Sequence, residues 1–82
     1  MQRSHAEIES IIAEKIFGLI HKKISSEKEE LIGSGLLSSI TIAELAVELE
    51  KTFSVSFSFM EVSKENFKTV ADIARLVQQK SI

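Results

Sequence analysis

The sequence predicts an all-α domain, a four-helix bundle with three longer helices, one short third helix and a long first loop. Three observations carry that expectation. Apolar residues recur at three- and four-residue steps through three separate stretches, which is the spacing of one helix face. Ser4, Ser58 and Thr69 are each followed three residues later by an acid, the pattern of a capping box at a helix start. The one stretch that alternates, Val55-Ser56-Phe57-Ser58-Phe59, has no second strand to pair with, so it is read as extended loop.

The first helix is expected over about 4–23. Ile8, Ile11, Ile12, Ile16, Leu19 and Ile20 share one face, and Ser4 with Glu7 forms the capping box. Lys22 and Lys23 fall in its expected last turn, where positive charge suits the helix dipole. Residues 24–38 then form the long connection. Leu31, Ile32, Leu36 and Leu37 are apolar enough to pin it to the bundle, and Gly33-Ser34-Gly35 gives it room to turn. Loops of this length in small domains are often functional.

The second helix is expected over 39–53, with Ser38 as N-cap and Ser39 at the first helical position. Ile42, Leu45, Ala46, Leu49 and Phe53 form its buried stripe. A short third helix is expected over 60–65 after the Ser58/Glu61 pair. The fourth is expected over 70–79, started by Thr69 and Asp72 and buried through Val70, Ile73, Ala74 and Val77. Phe57, Val62 and Phe67 close the core between them. The 82 residues make one domain, 1–82, and a domain of that size buries roughly 60–65% of its unfolded surface.

Composition removes several functions. The chain has no cysteine, which excludes a disulfide scaffold, a thiolate zinc site and a cysteine nucleophile. His5 and His21 are the only histidines, and without clustered carboxylates they do not make a metal site. Formal net charge is −2 with no basic stripe, and the second helix carries Glu44, Glu48 and Glu50, so nucleic acid is not an expected partner. No apolar run approaches the roughly 20 residues of a membrane span, and the N-terminus lacks a signal-peptide apolar region. A cytoplasmic, soluble monomer is the expectation. No acid–base or nucleophile pair can be assembled, so no enzyme is expected.

One place stands out, the serine pair that opens the second helix. A helix start offers unpaired N–H groups and the positive end of the dipole, which suits a phosphate-bearing group. Ser-Ser before an apolar-periodic run is equally an ordinary cap. The residues permit a phosphodiester on Ser39 without requiring one.

The stretch Gly35-Leu36-Leu37-Ser38-Ser39-Ile40-Thr41-Ile42-Ala43-Glu44-Leu45, running on through Leu49-Glu50-Lys51-Thr52-Phe53, resembles the prosthetic-group helix of acyl carrier proteins. That family reads Asp-Ser-Leu, then a helix bearing Glu-Leu and closing on an acidic run and Phe. Ser39 matches the modified serine, Ile40 the leucine after it, Glu44-Leu45 the Glu-Leu pair and Phe53 the closing aromatic. Glu65-Asn66-Phe67-Lys68-Thr69-Val70-Ala71-Asp72-Ile73-Ala74 is similar to the tail of many carrier domains. The likeness spans about residues 31–79, and the Gly-Leu-Leu opening is nearer the D-alanyl and aminoacyl carrier branch. Ser38 stands where the family has aspartate, Ser56 and Ser58 where it often has acid and proline, and Lys51 interrupts the acidic run.

The resemblance implies an acyl-carrier-like bundle with a 4'-phosphopantetheine arm, drawn from coenzyme A, on Ser39, beside the Ser38 N-cap. It implies a shuttle rather than a catalyst. A phosphopantetheinyl transferase using Mg²⁺ would install the arm. An acyl- or aminoacyl-activating ligase would load the thiol with cargo as a thioester. An acyl transferase or synthase would receive it, in fatty acid or secondary metabolite biosynthesis. Ile40, Ala43 and Val47 lie away from the buried stripe beside Glu44 and Glu48, and with Glu61 they form the expected partner surface. The alternative is an unmodified interaction module in which Ser39 is only a cap. The cargo stays open among D-alanyl, other aminoacyl, fatty acyl and polyketide extender units.

Overall fold

In the computed structural model, residues 3–80 are described. They form three α-helices, α1 (His5–Ile20), α2 (Ser39–Phe53) and α3 (Val70–Lys80), with no strand among the described residues. The expected all-α class is what forms, and α1 packs against both α2 and α3. Its start follows the sequence closely. Ser4 Oγ accepts the Glu7 N–H at 3.2 Å and Glu7 Oε1 accepts the Ser4 N–H at 3.3 Å, so each side chain satisfies a backbone donor that the helix leaves open.

The end of α1 comes three residues before the expected 23. His21 takes the left-handed conformation (φ 59°) and gives its N–H to Phe17 O at 2.8 Å, which closes the helix. Lys22 and Lys23 therefore lie beyond the last turn. The early stop turns the chain back so that Ile24 packs against the core.

The long connection is drawn in rather than splayed out. Leu31 is fully buried and Leu37 nearly so. The Leu31 N–H donates to Lys68 O at 2.8 Å, the Leu37 N–H donates to Leu31 O at 2.9 Å, and the Ala71 N–H reaches Glu27 O at 3.0 Å. Gly35, at φ 83°, makes the turn that brings Leu36 and Leu37 back to the bundle, a conformation that costs glycine nothing. The radius of gyration, 11.4 Å, matches the roughly 12 Å expected of a folded chain of this length.

The expected short helix over 60–65 does not form among the described residues. Two separate capped turns take its place. In the first, Ser58 Oγ accepts the Glu61 N–H, Glu61 Oε1 accepts the Ser58 N–H, and the Val62 N–H reaches Ser58 O. In the second, Ser63 Oγ accepts the Asn66 N–H and Ser63 O accepts the Phe67 N–H. The carbonyl of Glu61, which a continuous helix would offer to Glu65, is instead taken by the Ser63 N–H and by Asn66 Nδ2. Serine and asparagine compete with the helix for its own backbone, and one helical turn has too few bonds to resist.

The core draws on every element. Ile8, Ile12 and Ile16 meet Leu45 and Leu49 of α2 and Val70, Ile73, Ala74 and Val77 of α3. Phe67 fills the centre at 0% exposure and meets Phe57 edge to face, with centroids 6.1 Å apart and planes at 84°. Phe57 and Val62 are half-buried against this core, as expected.

Candidate functional site

The serine pair adopts the cap geometry that its sequence suggests. Ser38 is extended (φ −97°, ψ 174°), and its Oγ accepts the Thr41 N–H at 3.2 Å and lies 3.0 Å from Thr41 Oγ1. Its carbonyl accepts the Ile42 N–H at 2.9 Å. Ser39 is then the first helical residue, exposed, with no side-chain hydrogen bond among the described residues. The first turn of α2 contains no acid. A negatively charged group on Ser39 would meet the helix's positive end with no carboxylate of that turn against it. Ser38→Ala would leave the Thr41 N–H without its acceptor, and urea unfolding is expected to show a loss of about 1 kcal/mol.

Ser39 stands at one end of an open groove of about 430 Å³. One wall is α2, through Ile42, Ala43, Ala46, Val47 and Glu50. The other is the capped-turn segment, through Phe57, Ser58, Phe59, Val62, Ser63 and Lys64. Of the expected partner residues, Ala43 and Val47 line this groove. Ile40 and Glu44 are exposed on α2 beside it, and Glu48 is half-buried. Ile40 is 75% exposed, which is unusual for an isoleucine in a folded domain.

Glu61 is placed differently. Its carboxylate meets Lys80 Nζ at 2.7 Å and accepts the Ser58 N–H at 2.8 Å. Lys80 first, and the Ser58 N–H second, hold that carboxyl below its ordinary 4.5. A depressed folded value means that the contact supports the fold above about pH 4.5 and is lost as pH falls through the folded value. Replacing Lys80 by Gln is expected to raise the Glu61 titration midpoint, read from its carboxyl carbon by NMR.

Sequence reasoning left Phe59 and Met60 out of the partner surface, although they are 95% and 85% exposed. Alternation puts Phe59 on the same side as the half-buried Phe57, so the pattern predicts a buried ring. The capped turn that begins at Ser58 breaks the alternation and leaves Phe59 outside.

Across the chain, the sequence pattern described as the phosphopantetheine attachment site matches residues 8–77. The chain belongs to that family of carrier proteins. The carrier is also similar to D-alanyl carrier proteins from three serotypes of Streptococcus pyogenes. Each is 32% identical over 73 residues, covering 88% of this carrier and 92% of the relative. The carrier bears a phosphopantetheine arm derived from coenzyme A and is not itself an enzyme. The arm brings the reactive thiol, which explains how a chain without cysteine can hold a thioester. The surroundings of Ser39 suit such a group: a free exposed hydroxyl, no acid in its turn, and an adjoining groove with apolar walls. No described helix of the carrier is long and apolar enough to cross a membrane.

Proposed function

We propose that Ser39 is where the arm is attached, and that the chain, 1–82, acts as a single carrier domain. One observation carries this: the Ser39 hydroxyl is exposed and uncommitted at the first position of α2, within the span that matches the family. No side chain hydrogen-bonds the Ser39 hydroxyl among the described residues, which agrees with activation by a separate transferase rather than by the carrier. That transferase, with Mg²⁺, takes the hydroxyl proton and directs the oxygen onto the pantetheine-side phosphorus of coenzyme A, breaking the pyrophosphate bond and releasing adenosine 3',5'-bisphosphate.

The two capped turns over 58–67 are this chain's counterpart of the short helix of a four-helix carrier bundle. The cargo is an acyl or aminoacyl group, with D-alanyl favoured by the likeness to D-alanyl carrier proteins. An activating ligase loads it and an acyl transferase or synthase removes it, in the cytoplasm, from a monomeric carrier. Partners read Ile40, Ala43, Val47 and the neighbouring Glu44 and Glu48, with Phe59 and Met60 extending the apolar part of that surface. Glu61 acts at its edge while held by Lys80.

The test is intact-protein mass after incubation with coenzyme A, Mg²⁺ and a broad-specificity phosphopantetheinyl transferase. The expected result is one added phosphopantetheinyl group, mapped by peptide fragmentation to Ser39. An unchanged mass would favour the unmodified interaction module. Mass spectrometry of the protein from its own host identifies the cargo.

A further inference from the structure

The groove beside Ser39 is apolar except for five residues, Ser39, Glu50, Ser58, Ser63 and Lys64. Most of that polarity is already in use. Ser58 Oγ and Ser63 Oγ cap their own turns. Glu50 Oε2 accepts the Phe57 N–H at 2.8 Å, and Glu50 sits about three turns along α2 from Ser39, roughly 16 Å. What remains uncommitted is the Ser39 hydroxyl and the Lys64 ammonium. Lys64 is exposed and forms no ion pair among the described residues.

The course of the chain sets Lys64 toward the Ser39 end. The segment leaves the C-terminal end of α2, where Phe57 is tied to Glu50. It reaches Lys68, whose carbonyl holds Leu31, and Leu31 in turn holds Leu37, two residues before Ser39. Lys64 opens the turn capped by Ser63, so a fixed backbone carries it. The groove's one cation and its one carboxylate therefore stand toward opposite ends.

We propose that Lys64 is a positioning residue for the arm: its ammonium pairs with the phosphodiester borne by Ser39 and draws the arm along the groove, against Val47 and Val62. This rests on the reading of Ser39 as the attachment point. The pairing joins a phosphodiester to a lysine ammonium, a charge-assisted contact. It is partly exposed, so salt weakens it.

The experiment uses the arm-bearing protein with the polypeptide ¹³C-labelled and the arm unlabelled. Isotope-filtered nuclear Overhauser spectra then report contacts between the arm's methyl protons and the Val47 and Val62 methyls. These contacts are expected in the unaltered protein. In Lys64→Gln they should fall roughly two- to fivefold, the range of an exposed ion pair. Lys64→Arg should restore them, and Lys68→Gln, which removes a neighbouring charge outside the groove, should not change them. Salt at about 0.5 M, where the Debye length is roughly 4 Å, should weaken them as the glutamine does. Contacts absent from the unaltered protein, or untouched by Lys64→Gln, or reduced equally by Lys68→Gln, overturn the proposal. If mass spectrometry shows no arm on Ser39, the reading of that residue fails and this inference fails with it. An arm on Ser39 that ignores Lys64 overturns the inference alone.

Discussion

Ser39→Ala is expected to take no phosphopantetheinyl group at all, while its unfolding midpoint stays where it was. Both halves follow from the same geometry. The Ser39 side chain is exposed and makes no side-chain hydrogen bond, so removing its oxygen leaves nothing buried and unsatisfied. Alanine is also the better helix former at a position already inside α2. The stability change should lie within about 0.5 kcal/mol, and the loss of the mass gain is all or none. Ser38→Ala is the opposite case, since it weakens the helix start and leaves the acceptor hydroxyl in place. Comparing the two by intact mass and by urea unfolding separates capping from attachment. A Ser39→Ala protein that still gains mass would place the arm elsewhere.

The largest expected stability loss belongs to Phe67→Ala. Phe67 has no exposed surface, and it meets Phe57 edge to face. Its neighbour Lys68 supplies the carbonyl that holds Leu31. Emptying a site of this kind costs about 3–5 kcal/mol. A domain of this size has a total stability of roughly 4–12 kcal/mol. The variant is expected to be largely unfolded in modest urea, with lost helical circular dichroism at a concentration that leaves the unaltered protein folded. A midpoint shift worth less than about 1 kcal/mol would mean that the surrounding side chains close over the vacancy.

The three helices were legible because their signals are local. Apolar spacing gave the buried faces, and the Ser4/Glu7 and Thr69/Asp72 pairs gave two starts: Thr69 Oγ1 accepts the Asp72 N–H at 3.1 Å. Ser38 and Ser39 took the cap and first-turn places assigned to them. What the sequence concealed was decided at a distance. The early end of α1 depends on where Ile24 must pack, which the local lysines do not encode. The break at Ser63 depends on Asn66 reaching back to the Glu61 carbonyl. Ser58 has an acid three residues on and Ser63 has Asn66 there, and the two caps divide the segment into separate turns. The groove was hidden for the same reason, because its second wall comes from residues 57–64, far along the chain from Ser39.

Leu31, Leu37 and Phe67 are core residues supplied by connections rather than by helices. Surface loops usually accept added residues and are easily cut. Here an insertion beside Leu31 or Leu37 would drag a buried side chain out of register and part the Leu31–Lys68 backbone bond. Within 31–37, the tip at Gly33 and Ser34, exposed and outside that bond, has the slack to take a tag or meet a protease without loosening what stands behind Ser39.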